Sequence, residues 1–149
     1  MKQKYNIQRL DISSGWTVER NVFYDIDLDD SISEDDKHDN IYCQEDLLYL
    51  TKGNYHLDLG WYGYDNLDNE TTGYCIYLFR GYNWNNAELL EKFRSKSKSV
   101  ITDKIIECIK AVDLGYFDKV TGYSVDENDT TNKNDFSDFD NYSARRRLK

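Results

Sequence analysis

The run Tyr74-Cys75-Ile76-Tyr77-Leu78-Phe79 leaves a folded chain little choice. In an extended strand Tyr74, Ile76 and Leu78 share one face, and Cys75, Tyr77 and Phe79 share the other. Both faces are apolar or aromatic, so both must be covered, and such a strand belongs at the centre of a sheet. Just before it, in YHLDLGWY, Leu57, Leu59 and Trp61 alternate with His56, Asp58 and Gly60, the pattern of a strand with one buried face. The polar stretch GYDNLDNETTG joins the two, so residues 54–80 read as an antiparallel hairpin.

Other elements follow from weaker patterns. Residues 5–12 read as a short strand, Ser13-Ser14-Gly15 as a turn, and Trp16–Ile26, rich in β-branched and aromatic residues, as a second strand. Leu47, Leu48 and Leu50 point to the interior. Asn85 or Asn86 can cap a short helix carrying Leu89, Leu90 and Phe93. A longer helix, Val100–Val112, is capped by Ser99 or the serines before it and carries the stripe Ile101, Ile105, Cys108, Ile109 and Val112. Gly115 ends it. The expected fold is α+β: an antiparallel sheet of four to six strands with one or two C-terminal helices packed on one face. At 149 residues this is one domain, spanning 1–115 with an acidic loop at 27–40. Residues 116–149, rich in Asp and Asn, read as a flexible tail ending in Arg145-Arg146-Arg147.

Charge is the second constraint. The net charge is -9, and most of it sits in residues 25–39, where Asp25, Asp27, Asp29, Asp30, Glu34, Asp35, Asp36 and Asp39 face a single base, Lys37. The rest of the chain is nearly balanced. A concentrated negative segment repels nucleic acid and anionic membranes and attracts basic partners at long range. No apolar run approaches the roughly 18 residues of a membrane-spanning helix. The opening MKQKYNIQRLDI lacks the apolar core of a secretory signal, so a cytoplasmic location is expected. The three cysteines, Cys43, Cys75 and Cys108, have neither metal-binding nor disulfide-framework spacing.

No reactive constellation emerges. Asp25, Asp27, Asp29, Ser31, Ser33 and Asp36 fall at the ligand positions of a calcium-binding loop. However, Asp30 occupies the place where glycine makes the sharp turn, and a strand precedes the run, so a solvated acidic loop is the better reading. Of the two histidines, His38 lies in that loop, and His56 could join Asp58 and Tyr62 only as the centre of an enzyme of unrecognised type. Cys75 and Cys108 sit on apolar faces, where thiols are inert. Lys92, Arg94, Lys96 and Lys98 form a minor basic patch that does not offset the acidic balance. What remains is a surface: the acidic segment beside the aromatics Tyr24, Tyr62, Tyr64, Tyr82 and Trp84, the residue types that anchor protein interfaces. Neither cofactor nor metal is expected. The expected partner is a protein with a basic surface, bound by Asp25, Asp27, Asp29, Asp30, Glu34, Asp35, Asp36, Tyr62, Tyr64 and Asp65.

One order of motifs resembles a known group. Gly15-Trp16-Thr17-Val18 is followed by Phe23-Tyr24-Asp25-Ile26-Asp27 and by Asp58-Leu59-Gly60-Trp61-Tyr62-Gly63. Then come a strand ending at Leu78, Trp84, Leu90-Glu91-Lys92-Phe93 and the helix Ile101–Val112. Over residues 5–113 this layout is similar to small acidic α+β immunity-type proteins encoded beside bacterial polymorphic toxins. The acidic stretch is longer here than the connection in that group. The resemblance implies a non-enzymatic protein that binds and blocks a toxic enzyme domain, for example a basic nuclease. A phage-encoded acidic mimic of nucleic acid, directed at a host nuclease defence, would have the same charge pattern.

Overall fold

The computed structural model describes residues 6–26, 46–62, 72–82, 87–125 and 141–144. Seven strands and one helix follow in the order β1 (Thr17–Asn21), β2 (Leu48–Lys52), β3 (Tyr55–Tyr62), β4 (Gly73–Arg80), β5 (Ala87–Ser95), α1 (Lys98–Asp113), β6 (Tyr123–Val125) and β7 (Tyr142–Ser143). The strands form one antiparallel sheet in the order β1-β2-β3-β4-β5-β6, with β7 also paired to β5. It is a meander in which each of the first five strands lies beside its neighbour in sequence. The α+β reading holds, with one helix after the main strands among the described residues.

Strand β4 is central, as its two apolar faces require. The pairs Leu57–Leu78, Leu59–Ile76 and Trp61–Tyr74 fix its register with β3. Tyr74, Ile76 and Leu78 enter the main core with Leu48, Leu50, Leu57, Leu59 and the helix residues Ile101, Ile105, Cys108, Ile109 and Val112. Cys75, Tyr77 and Phe79 form a second cluster on the opposite face with Ala87 and Leu89, against which the rings of Tyr62, Tyr123 and Tyr142 pack. Trp16 and Trp61 are core residues. Each large apolar side chain removed from water in these clusters contributes about 1.5–3 kcal/mol.

Helix α1 starts two residues earlier than expected, because of the candidate serines it is Ser97 that caps it and accepts the Val100 amide at 3.3 Å. Its last residue is Asp113, and Gly115 stops it as expected. That glycine has φ +77°, its amide donates to Val112 O, and the Tyr116 amide donates to Ala111 O, so two carbonyls of the last turn are satisfied.

Four expectations are corrected. The helix expected at Leu89, Leu90 and Phe93 is strand β5: pairing with β4 over its length overrides the helix-favouring Ala-Glu-Leu-Leu-Glu-Lys local sequence. A register shift opposite Leu78 and Phe79 breaks the strand alternation, so that Leu90 and Phe93 both meet the main core while Leu89 meets the other face, an i, i+3 pattern that mimics helical spacing in the sequence. In place of the strand expected over 5–12, the described residues 6–12 supply the bridge Ile7–Tyr24, flanked by Gln8 N–H to Phe23 O and Asp25 N–H to Asn6 O, both at 2.7 Å. The strand expected over Trp16–Ile26 stops at Asn21, whose side-chain oxygen takes the Phe23 amide at 3.1 Å and turns the chain.

The fourth correction concerns the tail. Phe117, Val120 and Ala144 are buried in the main core, and β6 and β7 extend the sheet. The clamp is Arg80. Its Nε donates to Glu88 Oε2 (2.9 Å), its Nη1 to Phe117 O (2.8 Å) and its Nη2 to Val120 O (2.7 Å). Glu88 in turn accepts the Gly122 amide at 3.1 Å. A side chain at Gly122 would place its Cβ 2.5 Å from Leu89 O, so β6 lies this close to β5 only because the residue is glycine. The rest of the expected tail, 126–140 and 145–149, lies outside the described residues.

A second polar hub joins the helix end to the N-terminal turn. Asp113 Oδ1 accepts from Lys52 Nζ (2.6 Å) and Trp16 Nε1 (3.0 Å), and the Ser13 hydroxyl donates to Oδ2. Burial acts to raise this carboxyl, but the bonds from Lys52, Ser13 and Trp16 outweigh it and hold Asp113 below the usual carboxylate range. A depressed carboxyl stabilises the fold above its unfolded-state value and loses that contribution as pH falls through its folded value. Asp113→Asn should therefore cost about 1–3 kcal/mol in urea unfolding at pH 7. The gap from wild type should narrow as pH drops through the acidic range, and a gap independent of pH would contradict the assignment.

Candidate partner-binding end of the sheet

The meander sends alternate connections to opposite ends of the sheet. At one end the chain leaves at Ile26 and returns at Asp46, leaves β3 at Tyr62 and returns at Thr72, and passes from β5 through Ser97 into α1. Leu47 N–H bonds to Leu59 O (3.0 Å) and Val22 N–H to Leu47 O (2.8 Å), so the attachment points of residues 27–45 lie beside the final turn of β3. The T-shaped contacts Phe23–Tyr74 (5.7 Å) and Trp61–Tyr74 (4.8 Å) tie the same points together. The acidic stretch and the stretch beginning at Tyr62 thus start from one end of the molecule, the end that carries the helix N-terminus.

Of the expected binding residues, two are described. Tyr62 is half-buried, its ring meeting Tyr77 edge-on at 6.3 Å on the face away from the helix. Asp25 is more than half exposed, but its carboxylate accepts from Lys98 at the start of α1. It is therefore partly neutralised within the chain. Asp27, Asp29, Asp30, Glu34, Asp35, Asp36, Tyr64 and Asp65 lie outside the described residues, as do Asp39, His38, Trp84 and Cys43. Tyr24 is half-buried, whereas Tyr82 stands 90% exposed at the opposite end.

The expected basic patch of Lys92, Arg94, Lys96 and Lys98 begins inside a strand. Lys92 and Arg94 lie in β5 opposite Tyr77 and Cys75, and Lys92 is only 2% exposed.

The open face of the sheet holds a further feature beside the acidic attachment point. Glu19, Arg20, Asp46, Tyr49, Thr51 and Asp58 line a shallow hollow of about 370 Å³ across β1, β2 and β3. Its floor follows from register, since Asp58 lies opposite Tyr49, and Tyr49 opposite Arg20. Arg20 Nε donates to Asp46 O at 2.6 Å, and Thr51 donates to Glu19 Oε1 at 3.0 Å. Burial raises the Tyr49 phenol above its ordinary value, and the Asp58 and Glu19 carboxylates raise it further. Such a field favours cations. Sequence reading missed the hollow except for Asp58. The alternation of Tyr49 and Thr51 with Leu48 and Leu50 was the available signal, but nothing in it placed β1 alongside.

His56 is committed to structure. Gly81 O can only accept, so Nε2 carries the proton in that 2.7 Å bond, and Nδ1 takes the Tyr49 hydroxyl at 2.7 Å. The ring also stacks on Phe79 at 4.7 Å. His56, Asp58 and Tyr62 share one face of β3, yet both imidazole nitrogens hold neighbouring strands and connections together. Among the described residues no group of three or more His, Cys, Asp or Glu side chains could hold a metal ion. No helix there is long and apolar enough to cross a membrane.

Burial pushes the Cys75 thiol up to about 11, against the opposing pull of the Tyr77 hydrogen bond and the Lys92 and Arg94 charges. Cys108 is buried in the helix stripe. Iodoacetamide at pH 7.5 should therefore leave Cys75 and Cys108 unmodified in the native protein and label both in denaturant, as read by peptide mapping. Rapid native labelling of Cys75 would contradict its placement. Compared with protein-family models, curated proteins and solved structures, the chain matches none of them.

Proposed function

We propose that the chain is a non-enzymatic inhibitory protein of the immunity type. It neutralises a bacterial toxin bearing a basic surface, such as a nuclease domain, by contact through its acidic segment. The observation that carries this reading is the concentration of charge: eight carboxylates and one lysine within residues 25–39 of an otherwise nearly balanced chain. The arrangement of the fold supports it. Both attachment points of that segment are fixed to the sheet, at the end where the stretch containing Tyr62, Tyr64 and Asp65 also begins. Steering and aromatic anchoring therefore start from one place.

The physical logic is kinetic. Enzymes that cut nucleic acid present cationic clefts to phosphate, and a negative segment enters such a cleft in its place. Favourable long-range charge raises association to about 10⁸ M⁻¹s⁻¹ at low salt, with a steep fall as salt rises. An inhibitor that protects the cell making the toxin benefits from that speed.

The test is affinity capture from the source cell at low and then high salt, followed by association kinetics with the captured protein. The expected partner is basic and washes off as salt rises. Replacing Asp27, Asp29, Asp35 and Asp36 by Asn should slow association at low salt by at least about tenfold, with the melting temperature unchanged. Unchanged association by that variant would remove the acidic segment from the recognition surface.

A further inference from the structure

The outer edge of β5 is closed by two short strands that are held in different ways. β6 pairs with Ala87–Leu89 and is fixed from behind by the Arg80–Glu88 clamp through Gly122. β7 pairs only with Glu91 and Lys92. Residues 141–144 each contribute an attachment. Asn141 Oδ1 accepts the Arg94 amide at 2.8 Å on the surface, Ala144 is buried, and the Tyr142 ring meets Tyr123 edge-on at 6.4 Å. The fourth attachment reaches the interior, where Ser143 Oγ donates to Glu91 Oε1 at 2.9 Å.

Glu91 gives this last bond its weight. Its carboxylate is 1% exposed on the helix side of β5, and Oε2 lies 3.5 Å from Lys104 Nζ. That ammonium is shared with Glu107 (3.2 Å) and sits 5.3 Å above the Phe93 ring. A buried carboxylate needs its donors, so the state of β7 is felt by a charge inside the core.

We propose that residues 141–144 form a detachable clasp. Seated, the clasp closes the β5 edge and supplies a hydroxyl donor to Glu91. Released, it uncovers the backbone groups of Glu91–Arg94 and admits water to the Glu91 carboxylate, while β1–β6 and α1 stay folded. A two-residue ladder anchored by Ala144 and by the half-buried Tyr142 ring opens at less cost than a central strand. The clasp therefore determines whether the outer edge of β5 beyond its pairing with β6 is closed or open.

Amide hydrogen exchange on the full chain tests this, with the Arg94 amide as reporter because its acceptor belongs to the clasp. In wild type, Arg94 should exchange at least about 100-fold faster than Ile76 in β4, by local opening. Ser143→Ala should speed Arg94 by about a further tenfold and leave Ile76 and Ile105 unchanged, and Ser143→Thr should restore the wild-type rate. The proposal is overturned if Arg94 exchanges at the Ile76 rate in wild type. It is equally overturned if Ser143→Ala accelerates all three amides together or leaves Arg94 unaffected.

Discussion

Strand β4 has no side it can leave in water, and the architecture is the set of consequences. Tyr74, Ile76 and Leu78 need a cover, which α1 provides with Ile101, Ile105, Cys108, Ile109 and Val112. Cys75, Tyr77 and Phe79 need another, to which Ala87, Leu89 and the rings of Tyr62, Tyr123 and Tyr142 contribute. Centring β4 places β3 and β5 on either side and β1 and β6 toward the margins. The meander then sends the connections after β1, β3 and β5 to one end. The candidate interface is thus positioned by the burial of a strand that carries none of its residues.

Two polar hubs hold the margins to this frame. Arg80 spends its guanidinium on Glu88 and on the carbonyls of Phe117 and Val120, securing the passage from α1 to β6. Asp113 gathers Ser13, Trp16 and Lys52 at the other end of the chain's path. Both hubs lie away from the acidic attachment points, so the charge that would meet a partner can change without unfastening the core. Asp25 is the exception, because its ion pair with Lys98 links the edge of the acidic segment to the helix start.

The elements legible in the sequence were those whose burial pattern has a clean period. In β3 Leu57, Leu59 and Trp61 alternate with less apolar residues, β4 is apolar on both faces from Tyr74 to Phe79, and the helix stripe recurs from Ile101 to Val112, so all three were readable. Strand β5 was not, because its register shift puts Leu90 and Phe93 on one face at helix-like spacing and its local residues favour a helix. The order of 116–125 and 141–144 was hidden for a different reason. It rests on isolated contacts of Phe117, Val120, Ser143 and Ala144 with partners distant in sequence, and sparse anchors have no period. At the candidate site the acidic run and Tyr62 were visible as composition. The hollow of Glu19, Arg20, Asp46, Tyr49, Thr51 and Asp58 exists only once three strands are in register.

Recognition of a basic partner requires negative potential concentrated at one end of the molecule. Paramagnetic relaxation of backbone amides by a cationic and an anionic nitroxide, compared residue by residue, reads that potential directly. The account predicts strong preference for the cationic probe at Asp25, Ile26, Asp46 and Tyr62, and near-equal effects at Gly53 and Leu114 at the opposite end. Equal effects of the two probes at both ends would mean that Lys96, Lys98 and the helix N-terminus cancel the acidic segment, and the account would fail.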